Sequence, residues 1–280
     1  MPIYEQTYRR YEARAPLRAV RFWPITREAL RLILARRAFL GLLLVAWGQF
    51  LFRVIQIYVV TRLPEAGRVL PIDGRMFGQF LAIQTLFTLL LSIFGGAGLI
   101  ANDLRTGAIL VYLSRPLTRR DYVVGKLCVL LALNLAVTLL PGLLLYGVAC
   151  ALAPGQFVTL ELAWLGPAIA LHAVVLSLSL SLPMLAVSAL SRSGRVAGLA
   201  FFGLMVGLEI VQGIVGVISH WPLAILMSVQ ACINAVGEAL LGSRPEDALH
   251  WIWPALVLAA LWAVSLLVLR ARVRAVEIVR

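Results

Sequence analysis

Long apolar runs alternate with short polar segments along most of the chain. A helix needs roughly 20 apolar residues to cross about 30 Å of hydrocarbon. Six runs reach that length, so the pattern predicts an all-α integral membrane protein with six transmembrane helices. Pro141 and Pro183 lie inside the third and fourth runs and predict kinks there. The predicted spans are residues 38–60, 77–101, 122–149, 162–190, 196–218 and 251–269.

A seventh apolar run, residues 223–241, has a different pattern. Gln230, Asn234 and Glu238 recur at every fourth position, which places them on one face of a helix. Counting this run as a span would also move the basic C-terminal tail to the other side of the membrane. We therefore predict a re-entrant or surface-lying segment on the outer face within residues 219–250, with Pro222 separating it from the fifth span.

Residues 1–37 are polar and rich in arginine, which is unlike the short basic start and early apolar stretch of a signal peptide. Thr26 is placed to cap a helix that continues into Leu30, Ile33 and Leu34. Tyr4, Tyr8 and Tyr11 recur at helical spacing. The segment therefore predicts an amphipathic helix that lies along the cytosolic membrane surface.

Composition supports a membrane protein and argues against nucleic acid as a partner. Hydrophobic residues make up 61% of the 280 and charged residues 14%, with a mean hydropathy of +0.94. A soluble domain has about 45–50% apolar and about 25% charged residues. The net charge of +12 comes from residues in the gaps between apolar runs. That distribution is typical of membrane orientation rather than of a nucleic-acid surface.

The basic residues also predict the orientation of the spans. With both termini in the cytosol, twenty of the 25 lysines and arginines fall in cytosolic segments and four in outer segments. The remaining one, Arg53, lies within the first span. Because cytosolic loops carry the excess of Lys and Arg, we expect a multi-pass protein of the inner membrane with both ends inside.

The loop between the second and third spans, residues 102–121, is the most informative segment. An apolar stretch follows Gly107, with Ile109, Leu110 and Leu113 spaced for one face of a short helix. Pro116 would end that helix. Thr118 stands three residues before Asp121, which is the spacing of a capping box at the start of the third span. The loop is thus either a rigid helix that transmits motion from a soluble partner or a plain connection between two spans.

The same loop resembles the signature region of the ABC-2 type permeases, the membrane subunits of one class of ATP-driven transporter. Ala108 replaces the usual threonine, and Leu110 stands where an acidic residue is common, which weakens polar contacts to a partner. The resemblance extends to the plan of basic arm, six spans and re-entrant segment, as one domain over residues 1–280. The matching residues are Asp103, Gly107, Leu113, Ser114, Arg115, Pro116, Thr118, Arg119, Gly125 and Lys126.

The resemblance implies that residues 102–121 form a coupling helix that docks on a separate ABC-type ATP-binding subunit. That subunit would bind ATP and Mg, and no cofactor is expected in this chain. Two permease chains, identical or different, would form the translocation pathway of an exporter. The implied coupling residues are Asp103, Gly107, Leu113, Ser114, Arg115, Pro116 and Arg119.

The residues themselves indicate no catalytic site. Gly125 and Lys126 are followed by Leu127 and lack the upstream glycine of a phosphate-binding loop. No nucleophile elbow or His-Glu-x-x-His motif occurs. The three cysteines stand singly among apolar residues, so no metal site is indicated. We expect a transport subunit rather than an enzyme.

Two charged residues lie within predicted spans, where a central charge costs about 2.5–3.5 kcal/mol. Arg53 and Glu209 have similar depths, so they are candidates for an intramembrane ion pair, within one chain or across a dimer. The pair is either a gate or substrate contact, or a structural pair. An arginine that extends to the membrane surface is a further alternative for Arg53 alone.

Several other polar and small residues lie within the predicted spans. His172 is expected to be a hydrogen-bonded packing residue. Gln79, Gln84 and Asn134 either line a pathway or tie helices together. A small-residue face on the fifth span serves either a dimer interface or packing within the chain. Its glycines are Gly203, Gly207, Gly213 and Gly216.

Two other classes of membrane protein compete with the ATP-driven permease. A stand-alone secondary carrier or channel would be expected to show repeated halves and more ionisable groups near the midplane. The sequence has no internal repeat. A membrane enzyme acting on lipid would need a catalytic constellation. The mostly apolar spans favour a lipophilic substrate or a purely conformational role.

Overall fold

The computed structural model describes residues 22–63, 72–108, 118–152, 163–219, 222–243 and 249–273. Six helical stretches in these ranges are long and apolar enough to cross a membrane. The prediction of an all-α membrane protein with six spans is therefore confirmed. Each crossing stretch overlaps one predicted run and extends or shortens it by a few residues.

The helices are numbered in chain order among the described residues. α3 with α4, and α5 with α6, form the second and third crossing stretches, and α2, α7, α8 and α10 form the others. The bounds are α1 Trp23–Leu34, α2 Arg37–Arg62, α3 Gly74–Gly96, α4 Ala101–Arg105, α5 Arg119–Val137, α6 Leu139–Leu152, α7 Leu165–Leu190, α8 Gly194–Ser219, α9 Val229–Leu240 and α10 Ile252–Arg272, with a short 3-10 helix at Pro222–Met227.

The two ends of the helix bundle differ in charge. We call one end the basic face, where α1 and α4 lie and where α2, α5 and α8 begin; the other end is the opposite face. The basic face includes Arg36, Arg37, Arg105, Arg119, Arg192, Arg195, Arg270 and Arg272, and the opposite face includes Arg62, Asp73, Arg75, Trp164, Ser243 and Trp251.

Helix α7 lies at the centre of the bundle and contacts α3, α4, α5, α6, α8, α9 and α10. In its most apolar stretch 72% of the residues are buried, against 17% in α2 and 11% in α8. Since α2 and α8 are about as apolar as the central helix, their exposed faces are suited to lipid or to another protein chain.

The third crossing stretch is broken where the sequence predicts a kink. α5 ends at Val137, Thr138 is a turn, and α6 contains Pro141. Proline has no N–H to bond the carbonyl four residues earlier, which here belongs to Val137. Pro183, by contrast, lies inside α7, which runs without interruption.

The polar-striped run at 223–241 does not form a seventh crossing helix. It folds into the 3-10 helix and the twelve-residue α9, which is about 18 Å long and too short to span the hydrocarbon. Ser228 caps α9 by accepting a hydrogen bond from Ala231 N at 3.1 Å. α9 packs on α3, α7, α8 and α10, so this segment is part of the bundle.

Helix α1 is present, but Thr26 does not cap it. The helix begins at Trp23, with Pro24 in its first turn, where the missing N–H has no cost. Thr26 lies inside the helix, and its buried hydroxyl donates to the Gly125 carbonyl at 3.0 Å. The prediction missed this because Thr26 serves a contact with α5, which is distant in sequence.

Candidate functional site

Two residues of the motif, Asp103 and Lys126, contact each other in the structure. Lys126 Nζ lies 2.8 Å from Asp103 Oδ2, and the Tyr122 hydroxyl donates to the same oxygen at 2.8 Å. The two charged side chains are largely shielded, with 6% of Lys126 and 18% of Asp103 exposed. α4 and α5, the helices on either side of the loop, are therefore held together at the basic face.

Gly125, next to this ion pair, lets α1 approach α5 closely. A Cβ at Gly125 would lie 3.2 Å from the Phe22 carbonyl oxygen and 3.3 Å from Ile25 Cβ. The Thr26 hydroxyl bonds the Gly125 carbonyl at the same crossing. The adjacent motif residues Gly125 and Lys126 thus connect three helices. α1 packs on α5 at Gly125, and Lys126 of α5 pairs with Asp103 of α4.

Ser188 of the central helix fixes the start of the loop from the other side. Its hydroxyl oxygen accepts from Ile100 N at 3.2 Å and Ala101 N at 3.1 Å, and its hydrogen goes to Ala97 O at 2.8 Å. These bonds satisfy backbone groups at the turn between α3 and α4. Sequence reasoning missed Ser188, although a serine near the end of an apolar span is a signal of such a polar contact.

Gly107, two residues beyond the end of α4, has the left-handed conformation, with φ +69°. A residue with a Cβ is strained in this conformation, which explains the glycine at the end of the helix. No described atom lies near the position of a Cβ there, so the requirement is one of backbone conformation alone. Leu113, Ser114, Arg115 and Pro116 lie outside the described residues.

The far end of the loop forms the predicted capping box. Asp121 N donates to Thr118 Oγ1 at 3.2 Å, and Thr118 N donates to Asp121 Oδ2 at 3.0 Å. Arg119 is the first residue of α5 and is exposed. With Arg120 and Arg270 it lines a cavity of about 510 Å³ between the start of α5 and the end of α10.

Arg53 and Glu209 have different partners within one chain. Arg53 Nη1 donates to Gln56 Oε1 at 2.7 Å and Nη2 to Gln79 Oε1 at 3.3 Å. Glu209, which is exposed on α8, accepts a hydrogen bond from the Ser228 hydroxyl. The structure therefore does not bring the two together within one chain, and a pair across a dimer stays a prediction.

The other polar residues of the spans divide between tying helices and lining a cavity. Gln84 Nε2 donates to Ala46 O at 3.0 Å and ties α3 to α2. Asn134 Nδ2 donates to Ser92 Oγ at 2.8 Å and to Ser181 Oγ at 3.0 Å, which ties α5 to α3 and α7. Gln79, which accepts the hydrogen bond from Arg53, both ties α3 to α2 and lines a cavity near the opposite face.

That opposite-face cavity has a volume of about 240 Å³ and polar walls from α3, α7 and α9. Two of the three residues of the predicted α9 stripe, Asn234 and Glu238, lie on it, with Arg75 and His172. The prediction that His172 is hydrogen-bonded is not met at Nδ1, which is buried without a partner among the described residues. Its ring lies against Gly237, where any Cβ would overlap it.

A larger groove opens at the basic face between the end of α3 and the start of α8. Its volume is about 910 Å³. Leu90, Ile93, Phe94, Leu199 and Phe202 give it apolar walls. Arg36, Arg105 and Arg195 lie at its polar end, with Asn102.

A family model described as ABC-2 family transporter protein matches residues 65–271. The chain belongs to the ABC-2 family. The resemblance seen in the loop is thereby confirmed over most of the chain, from the segment before α3 to the last turn of α10. No curated protein matches the chain. As an ABC-2 permease it is a membrane-embedded transport subunit.

The matched stretch contains every element that meets at the loop except α1. Asp103, Gly107, Lys126 and Ser188 all fall inside it. α1 and α2 precede it. The loop at residues 102–121 is thus bound to the bundle by contacts within the family domain, and α1 adds a contact from outside the matched range.

Proposed function

We propose that this permease is the membrane half of an ATP-driven exporter and that residues 102–121 couple it to a separate ATP-binding subunit. The observation that carries the proposal is the Asp103–Lys126 ion pair between the helices on either side of the loop. Because the pair connects α4 and α5, a partner subunit that moves the loop also moves these two helices. If only the backbone joined the loop to the helices, bending of the loop would absorb the motion.

The path of that motion runs into the centre of the bundle. Ser188 bonds the α3–α4 turn to α7, and Gly125 seats α1 on α5. A displacement of the loop therefore reaches α3, α5 and α7 through short polar contacts. Since α7 contacts α4 directly and also most of the other helices, a small shift there is distributed through most of the bundle.

The basic face is proposed to be the cytosolic side. It carries the arginines at the ends of α4 and α10 and at the starts of α2, α5 and α8, which agrees with the excess of Lys and Arg in cytosolic loops. ATP and Mg would be bound by the partner subunit on this side. Both chain termini would then lie in the cytosol of a cell whose inner membrane holds the permease.

Two permease chains are proposed to form the pathway. α8 is the least buried of the crossing stretches. A Cβ added at Gly203, Gly207 or Gly213 would meet no described atom within 4 Å, so packing within the described chain does not require these glycines. Small residues on an open face allow close approach of another helix. This favours the dimer interpretation of the glycine face.

A photo-activated cross-linker at position 119 tests the partner and the orientation together. In intact membranes it should capture an ATP-binding subunit, whereas the same cross-linker at Ser243 should not.

Impermeant thiol reagents should label Ser243→Cys from outside and Arg192→Cys only after lysis. Capture from position 243, or labelling of position 192 from outside, would contradict the proposal.

A further inference from the structure

The basic-face groove combines a cationic end with apolar walls. Arg36, Arg105 and Arg195 line one end, and no carboxylate lies among its described lining residues. An adjoining cavity adds Glu28 and the Asp103–Lys126 pair, in which the aspartate is already neutralised. Positive charge therefore exceeds negative charge around the groove.

The charged and apolar residues of the groove lie at different depths, as the headgroup and the chain of an amphiphile require. Arg36 precedes α2, Arg105 ends α4 and Arg195 is the second residue of α8, so all three lie at helix ends. Phe202 is seven residues further along α8, which is about 10 Å deeper at 1.5 Å per residue. On α3, Leu90 lies six residues before the end of the helix and is deeper by a similar amount. In a bilayer crossed by these helices, the charged end would lie at headgroup level and the apolar walls within the hydrocarbon.

Glycines shape the floor of the groove. A Cβ at Gly194 would lie 3.0 Å from Gly98 Cα, so the chain just beyond α3 and the start of α8 approach each other backbone to backbone there. Further along, a Cβ at Gly198 would lie 3.2 Å from Ile93 Cγ2. The two segments meet along this line, and the larger side chains of Phe94, Leu199 and Phe202 stand on the walls above it.

We propose that this groove binds an acidic membrane lipid from the leaflet at the basic face. Its phosphate would lie among Arg36, Arg105 and Arg195, whose planar guanidinium groups bind phosphate oxygens in pairs. One acyl chain would lie along the apolar walls. Basic pockets between helices at a membrane surface are suited to such headgroups. The inference concerns this chain alone and does not depend on the ATP-binding partner.

Lipid binding is measured on the purified full-length permease in a neutral detergent. The probe is phosphatidylglycerol with a fluorescent acyl chain, and phosphatidylcholine with the same chains is the comparison. We expect phosphatidylglycerol to bind at least about tenfold more tightly, with affinity falling as salt rises. Equal affinity for the two lipids would overturn the proposal, and so would full displacement by inorganic phosphate alone.

Paired variants localise the site. Arg105→Gln with Arg195→Gln should weaken phosphatidylglycerol binding about tenfold or more, because charge-assisted contacts to the phosphate are lost. Arg192→Gln with Arg270→Gln is the matched control, since both arginines are exposed on the same face and neither lines the groove. An equal loss in the control would show that general surface charge, and not the groove, attracts the lipid.

A second pair tests the acyl-chain part of the groove without altering its charge. Leu199→Trp enlarges a wall residue and should reduce binding, whereas Val217→Trp, at an equally exposed position near the other end of α8, should not. Both variants should match the wild type in size-exclusion profile. Unchanged binding in Leu199→Trp, or a groove covered by a second copy so that no lipid binds the dimer, would contradict the proposal.

Discussion

Lys126 Nζ lies 2.8 Å from a carboxylate oxygen of Asp103 and so connects the helices on either side of the loop at residues 102–121. Both residues belong to the motif by which the loop resembles ABC-2 permeases. In this chain they contact each other, and Asp103 also accepts a hydrogen bond from Tyr122. Asp103, which sequence reasoning assigned to a partner interface, is thus engaged inside the bundle.

The Asp103–Lys126 pair should show strong coupling in a double-mutant cycle. Asp103→Asn leaves the shielded Lys126 ammonium without its carboxylate, which should lower the unfolding free energy by about 3 kcal/mol. Adding Lys126→Met should recover most of that loss, because a buried pair can be replaced by apolar groups at little cost. Thermal unfolding in detergent measures both. Losses that simply add would show that the pair does not hold α4 to α5.

Much of the fold was predictable because the bilayer imposes a simple rule. Each of the six predicted runs became a crossing stretch, and the capping box at Thr118 and the break before Pro141 followed from local backbone chemistry. The polar stripe of α9 identified the apolar run that does not cross. These features depend on residues close together in sequence.

The site was less predictable because its contacts join residues that are distant in sequence. Nothing local marks the residues involved: Thr26 looks like a cap but bonds Gly125, and Ser188 looks like one of several serines in α7. Arg53 and Glu209 matched in depth along their helices. Depth does not determine which way a side chain points around the helix, and Arg53 turns toward Gln79.

Gly125 should tolerate no large side chain. Gly125→Leu would collide with Phe22 O and Ile25 and should displace α1 from α5. Gly147→Leu is the control, because nothing described lies within 4 Å of a Cβ there. Proteolysis within residues 22–34 of the purified protein should accelerate several-fold in Gly125→Leu only. The same rate in both variants would argue against the α1–α5 contact.

Arg53 should be coupled to Gln79 and not to Glu209. Arg53→Met and Gln79→Leu remove the two ends of one hydrogen bond to a charged group, so a coupling energy of about 1–2 kcal/mol is expected in unfolding measurements. Arg53→Met and Glu209→Gln should add, since the structure gives them separate partners. Coupling between Arg53 and Glu209 in the dimer would place that pair across the interface.

The glycine face of α8 should be in the dimer interface. With the native cysteines replaced, Gly207→Cys should form disulfide-linked dimers under mild oxidation. Val264→Cys, exposed on α10, is the control and should not. Gly207→Leu should lower the dimer fraction because a large side chain keeps the two helices apart. Cross-linking of both cysteines alike would indicate random collision in the membrane.

The loop from Asp103 to Arg120 should transmit ATP hydrolysis to the membrane domain. Leu113 is proposed to bury in a groove of the ATP-binding subunit, so Leu113→Asp would place an unpaired charge in that contact at a cost of several kcal/mol. The spans are unchanged, so insertion and dimerisation should be normal. Arg119→Ala should weaken association less, since exposed charges mainly tune encounter.

The measurement is recovery of the ATP-binding subunit on tagged permease at equal membrane expression, together with its ATP hydrolysis. Leu113→Asp should lose the partner, or retain it with hydrolysis that no longer responds to the permease. Leu63→Asp is the matched control, because Leu63 is an exposed leucine at the opposite face. Equal recovery and equal hydrolysis in wild type and Leu113→Asp would refute the coupling assignment. The Asp103–Lys126 pair would then stabilise the bundle only, because a loop that meets no partner has no motion to pass to α4 and α5.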